Sequence, residues 1–206
     1  MMRLPDQLTT QIVDRVLSPK SKNFHYLDAG ASREVFAIGK NTVIKIPIDL
    51  RKPSGKKQTE LEIMIYNTIE SEIPHCLELL AEIYAYGYYE GNIDIPIIFM
   101  QRADDALDHC MVPHDFSGLG NVFYDFYWSI YKDGALAIEK SNKFHTILEW
   151  TPLSESDLKD YNLGVITRNG VSDLVIIDYG YGKTSDTFAY DVYSYDPYYE
   201  KYEYEC

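Results

Sequence analysis

Apolar residues in "DQLTTQIVDRVL" recur at helical spacing, which predicts a short helix near the start of the chain. The following "FHYLDAGASREVFAIGKNTVIKIPI" reads instead as three short strands. They break at the small residues Ala29 to Ser32 and again at the tight turn Gly39-Lys40-Asn41. "RKPSGKK" combines cations with turn formers and is expected to be a loop, a solvated one rather than a grip for an acidic partner. In "TELEIMIYNTIESEI" Leu61, Ile65 and Ile69 share one helical face, with Glu60 and Glu62 near its start. "LLAEIYAYGYY" and "DIPIIFMQR" predict two further strands. Three strands, a helix and two strands make an α+β pattern: a five-stranded antiparallel sheet with one helix packed on it.

The pattern changes after Arg102. "ADDALDHCMVPHDFSGLG" has no periodicity, whereas Val122 to Trp150 is aromatic and helical in spacing, with Gly134 as a possible break. A boundary is therefore expected near residues 101 to 104, dividing the chain into units 1–103 and 104–206. No internal repeat is present.

Within the second unit, "DLKDYNLGVITRNGVSDLVIIDYGYG" (residues 157 to 182) holds two apolar runs around Asn169-Gly170. Both turn residues tolerate the positive φ of a type I′ turn, so a hairpin is predicted. Paired residue numbers then sum to 339, which sets Asn162 opposite Ile177 and Tyr161 opposite Asp178. Asn162 and Asp178 would share the open end of the ribbon, with backbones roughly 5–7 Å apart. A carboxylate and an amide oxygen so placed suit a hard cation such as Mg²⁺. Asp157, five residues before Asn162, would enter from the preceding loop. Turn and capping residues at the ends of a hairpin are the plainer reading of the same three positions.

Composition narrows the classes. A hydrophobic fraction of 46% and a charged fraction of 25% are ordinary for a globular domain. A formal charge of −13 works against non-specific binding to nucleic acid or anionic membrane, so neither is expected as a partner. No apolar run reaches 18 residues, and the N-terminus is too mixed for a secretory signal. Cys76, Cys110 and Cys206 form no disulfide framework, which makes a reducing cytoplasm the expected location. His109, Cys110 and His114 fit no standard zinc spacing. Seven of the 19 tyrosines (Tyr190, Tyr193, Tyr195, Tyr198, Tyr199, Tyr202 and Tyr204) lie in an acidic tail, where packing, flexibility and phosphate acceptance all remain open.

Asp157-x-Lys159-x-x-Asn162, followed by a hairpin ending in Asp178-Tyr179-Gly180, resembles the catalytic loop and metal-binding Asp-Phe-Gly of the protein kinase-like fold. That resemblance implies two lobes, ATP and Mg²⁺. It makes Asp157 the catalytic base, Lys159 a contact to the transferred phosphate, and Asn162 and Asp178 the metal ligands. It also requires earlier parts. "LDAGASREVF" takes the place of the glycine-rich loop, with Gly30 matching one glycine and Asp28 and Arg33 standing where the others would be. Ser32 adds a hydroxyl there. "TVIKIP" matches the strand that carries the phosphate-binding lysine, here Lys45. Glu62 is expected to hold Lys45, with Glu60 as the alternative, and Met100 to Ala103 would be the linker beside adenine.

The resemblance covers roughly residues 24 to 182. Glu155-Ser156 replaces the usual His-Arg before the catalytic Asp, and no Ala-Pro-Glu follows Gly180. The expected second lobe is therefore shortened and mainly helical, similar to the compact kinases of T7-like bacteriophages. The implied activity is an ATP- and Mg²⁺-dependent phosphotransferase, a Ser/Thr protein kinase acting on host proteins or on itself. Two alternatives stay open: a pseudokinase that binds and redirects a host protein, and a kinase for a small molecule.

Overall fold

The computed structural model describes residues 1–18, 24–29, 32–48, 50, 54–91, 94–105, 122–153, 162–168 and 170–180. The chain opens with strand β1 (Met2–Arg3) and helix α1 (Asp6–Val16). Strands β2 (Phe24–Ala29), β3 (Arg33–Ile38) and β4 (Thr42–Pro47) follow, then helix α2 (Ser54–Glu72) and a 3₁₀ turn at Pro74–Leu79. Strands β5 (Ile83–Tyr89) and β6 (Ile95–Gln101) complete the first sheet, whose order is β1-β5-β6-β4-β3-β2.

This sheet corrects the expected five-stranded antiparallel one. It has six strands and is mixed, because β1 adds to the β5 edge in parallel, Met2 opposite Ala85 and Arg3 opposite Tyr86. Two residues are too few for any periodic signal, so β1 carried no mark in the sequence. Helix α2 also begins sooner than expected. It takes in Ser54 to Lys57, which the sequence assigned to a loop. Lys56 lies 3.8 Å from Glu60 one turn on, so part of the cationic run is a helix face.

Both faces of the sheet are covered, and the period of two decides which side chain meets which helix. On β4 and β6, Ile44, Ile46, Ile97 and Phe99 pack with Val13 and Val16 of α1. Val43, Ile98 and Met100 point the other way, into a larger cluster with Leu61, Ile65 and Ile69 of α2. Full burial of an Ile or Leu side chain stabilises by roughly 1.5–3 kcal/mol, so the three α2 residues alone fix that helix on the sheet. A strand buried on both faces reads as a near-continuous apolar run, as "IPIIFM" does.

The chain leaves the first sheet at Gln101 and enters a second at β7 (Asp104–Asp105). Helices α3 (Val122–Tyr131) and α4 (Gly134–Trp150) come next, separated at Asp133, whose carboxylate caps α4 by accepting from the Ala135 and Leu136 amides at 3.0 and 3.1 Å. Phe123 and Phe144 stack across the helix pair with ring centroids 5.0 Å apart.

Strands β8 (Leu163–Arg168) and β9 (Val171–Ile176) form the predicted hairpin beside β7. Leu163 faces Ile176 and Arg168 faces Val171, the register expected from an Asn169-Gly170 loop. Gly170 has φ of +80°, the left-handed value that made glycine useful at that turn. The hairpin is tied back to the first sheet by the Ala81 amide, which donates to the Ile176 carbonyl at 3.0 Å. Leu174, Val175 and Ile176 join the same apolar cluster as α2, so one continuous core underlies both sheets and both later helices. No helix among the described residues is long and apolar enough to cross a membrane.

Candidate functional site

Lys45 occupies the middle of β4, opposite Val35 of β3 and Ile98 of β6, and its side chain points to the α2 face of the sheet. Burying an ammonium without a partner would be costly. Its partner is Glu62, whose Oε1 accepts from Lys45 Nζ at 2.7 Å. Glu62 has no solvent exposure at all. It lies on the turn of α2 that also buries Leu61, Ile65 and Tyr66, so the packing of the helix fixes the carboxylate. Glu60 points elsewhere, toward Lys56 on the outer side of α2.

Lys45 Nζ also donates to the Ile177 carbonyl at 2.6 Å. That bond joins β4 to the end of the hairpin, across 132 residues of sequence. The Ile177 amide in turn donates to the Asn162 carbonyl at 2.8 Å, which continues the ladder one step past β9 and sets Asn162 beside the segment that carries Asp178. Next along the chain, Tyr179 is wholly buried and its hydroxyl donates to the Ala81 carbonyl at 3.4 Å. At Gly180 a Cβ would fall 2.5 Å from Gln58 Cγ and 2.6 Å from the Gln58 carbonyl. Glycine there lets the chain after Asp178 lie flat against α2.

The fourth charge is Arg33, at the start of β3. It shares the Lys45 face of the sheet, because Arg33 pairs with Pro47 and Val35 with Lys45. Its guanidinium is buried and forked: Nη1 donates to Glu62 Oε2, and Nη2 donates to Asp178 Oδ1 at 2.5 Å. Lys45, Glu62, Arg33 and Asp178 thus form one chain of alternating charge with a formal sum of zero. Among the described residues no buried side-chain nitrogen or oxygen lacks a hydrogen-bond partner.

The electrostatics follow from this packing. Burial tends to raise the Asp178 carboxyl, but Lys45 and Arg33 outweigh it and hold the group down at about 2. Asp178 is therefore a carboxylate at neutral pH. Burial tends to lower the Arg33 pKa, and Glu62 and Asp178 reverse that and raise it above the ordinary arginine value. Asp178 is the most open member of the cluster, with 34% of its side chain exposed.

An ionised carboxylate at the mouth of the cluster offers oxygen donors of the kind that Mg²⁺ prefers, with the Asn162 backbone at the head of the neighbouring strand. Mg²⁺ sites commonly use one or two protein ligands and complete the shell with water and substrate phosphates. The residues present fit that habit. Among the described residues, no group of three or more His, Cys, Asp or Glu is gathered into a metal cage of its own.

Ser32 stands beside the cluster, its hydroxyl donating to Gln58 Oε1. Gly30, Asp157 and Lys159 lie outside the described residues, as do His109, Cys110, His114 and the tyrosines of the tail. A groove lined by Glu60, Ile63, Met64, Asn67 and Tyr88 lies on the outer side of α2 and includes no member of the charge cluster. Arg33 and Gln58 are the residues that sequence reasoning missed. A signal for Arg33 existed: a turn at Gly39-Lys40-Asn41 pairs residues whose numbers sum to 80, which sets Arg33 and Val35 on the face of Lys45.

No protein-family model matches the chain. No curated protein matches it. Among solved structures, it is similar to the GDP complex of wild-type aminoglycoside 2'-phosphotransferase-IIIa, with a TM-score of 0.42 and 11% identity over 86% of this chain and 73% of that one. Likeness of this degree assigns no chemistry, which has to come from the residues themselves.

Proposed function

We propose that the chain is an ATP- and Mg²⁺-dependent phosphotransferase with a kinase-like, two-lobed plan, divided near residue 103, and that it phosphorylates hydroxyl groups of a protein. The observation that carries this reading is the meeting of Lys45, Glu62 and Asp178. A strand lysine bonds a helix carboxylate and the Ile177 carbonyl, and Arg33 joins that same carboxylate to Asp178, so groups from distant parts of the chain meet in one hydrogen-bonded cluster.

In this reading Lys45 binds the α- and β-phosphates, and Glu62 keeps its ammonium aimed at them. Asn162 and Asp178 hold Mg²⁺, which when bound offsets negative charge on the phosphates. Gly30 and Ser32 belong to the turn that covers the phosphates. Asp157 accepts the proton of the attacking hydroxyl, and Lys159 steadies the phosphoryl group in transit. The new bond joins the acceptor oxygen to the γ-phosphorus, the bond to the bridging oxygen breaks, and ADP leaves. The resemblance to compact phage kinases suggests proteins of a host cell, or the chain itself, as acceptors.

One feature favours a second reading. Arg33 already occupies both Glu62 and Asp178, as a pseudokinase that works by contact would allow. Purified protein incubated with labelled ATP and Mg²⁺, alone and with host lysate, separates the two. Transfer that is lost in both Asp157→Ala and Asp178→Ala supports the phosphotransferase. Absent transfer, with binding to a host protein intact in both variants, supports the contact protein and overturns the proposal.

A further inference from the structure

We infer that Arg33 is the site's own cation: it holds Asp178 until phosphates arrive, and so makes divalent-metal binding depend on nucleotide. The inference rests on the phosphotransferase reading above and adds a regulatory element to it.

Three observations support it. First, the guanidinium sits where it has to contend with any metal at Asp178. Nη2 is 2.5 Å from Asp178 Oδ1, and the described hydrogen bonds to this carboxylate, from Arg33 and from the Gly180 amide at 3.4 Å, both fall on Oδ1. Second, the cluster is already neutral. A bare divalent ion beside Asp178 adds two positive charges next to a buried arginine and a buried lysine, with Glu62 already shared between those two. A nucleotide triphosphate brings more negative charge than the ion brings positive, so the pair enters together on far better terms than the ion alone. Third, the backbone at Arg33 is held at the end of the β3–β4 ladder. Residue 33 is paired opposite Pro47, and the adjacent Ser32 carbonyl accepts from the Ile48 amide at 3.0 Å. What can change is the side chain, which sits beside the segment assigned to phosphate covering. On nucleotide binding it can exchange Asp178 for a phosphate oxygen and keep its bond to Glu62.

The fork explains why arginine stands here. Two carboxylates on different elements are reached by the two terminal nitrogens of one planar group. A lysine ammonium would not span both in the same way, so Arg33→Lys removes the bridge while keeping the charge.

The test is Mn²⁺ binding, with Mn²⁺ as the probe, measured by titration with and without a non-hydrolysable ATP analogue. The proteins are the full chain and its Arg33→Gln, Arg33→Lys and Asp178→Asn forms. In the wild type the analogue should tighten Mn²⁺ about tenfold or more, within the usual range for coupled sites. Arg33→Gln should bind Mn²⁺ alone about tenfold tighter than the wild type, and most of the coupling should vanish. Arg33→Lys should behave in the same direction to a smaller extent, which keeps the test alive should the Gln form fail to fold. Asp178→Asn should lose Mn²⁺ in both arms. Equal wild-type affinity for Mn²⁺ with and without the analogue would overturn the role of Arg33, as would folded Arg33 variants with unchanged coupling. A folded wild type that binds neither analogue nor Mn²⁺ overturns the phosphotransferase reading itself, and the inference falls with it.

Discussion

Two charge clusters in this molecule are built from similar parts and invite a direct comparison. Beside α4, Glu78 accepts from Lys143 at 2.7 Å and lies 3.0 Å from Lys140, which in turn lies over the Tyr127 ring. Burial tends to raise the Glu78 carboxyl, and the two lysines reverse that and lower it. Yet 36% of the Glu78 side chain remains exposed, so water and salt share in screening its charge. In the Lys45–Glu62–Arg33–Asp178 cluster the central carboxylate sees no solvent. Desolvating charges costs several kcal/mol for each ion, and replacement by apolar residues is often neutral or stabilising. The cluster beside α4, open at Glu78 although Lys140 is buried, is a staple between helix and turn. The buried one is poorly explained by stability alone, and a function for its charges accounts for it better.

Breaking the buried cluster at its centre should produce the largest effect. Glu62→Ala leaves Lys45 and Arg33 buried with Asp178 as their remaining carboxylate in the cluster, and should lower unfolding free energy by about 3–5 kcal/mol in a urea titration. Acid probes the open end of the same cluster. The Asp178 carboxyl lies at about 2 in the folded protein against an ordinary value of 3.8. A depressed folded value means that the ionised form stabilises above the ordinary value, and that this contribution is lost as pH falls through about 2. Wild-type stability should therefore decline from about pH 4 toward pH 2, and Asp178→Asn should show a shallower decline over the same window in parallel unfolding curves. The smallest effect should come from the half-open staple at Glu78. Glu78→Gln should cost about 1 kcal/mol or less, and added salt should shrink the difference.

Much of this architecture was legible because local rules and tertiary packing agree. The hairpin followed from Asn169-Gly170 and its flanking runs, and the register came out residue for residue. Leu61, Ile65 and Ile69 declared the buried face of α2. What escaped depends on remote partners or on very short elements. Strand β1 has two residues and exists because the β5 edge is there to pair with it. The first turn of α2 reads as loop chemistry, since Pro53, Ser54 and Gly55 in sequence signal a turn more strongly than a helix until the chain around them is placed. Arg33 was visible as a departure from a glycine-rich turn. Its meaning was not, because the two carboxylates it joins lie 29 and 145 residues away.

Labelled-ATP transfer by Lys45→Met set against Lys140→Met separates the two clusters most directly. Each change removes a buried lysine that is paired with a glutamate. If the Lys45 cluster exists to place phosphates, Lys45→Met should lower transfer about a hundredfold or more while Lys140→Met stays near wild type. Equal loss in the two variants, or full transfer by folded Lys45→Met, would contradict the assignment of this cluster to nucleotide chemistry.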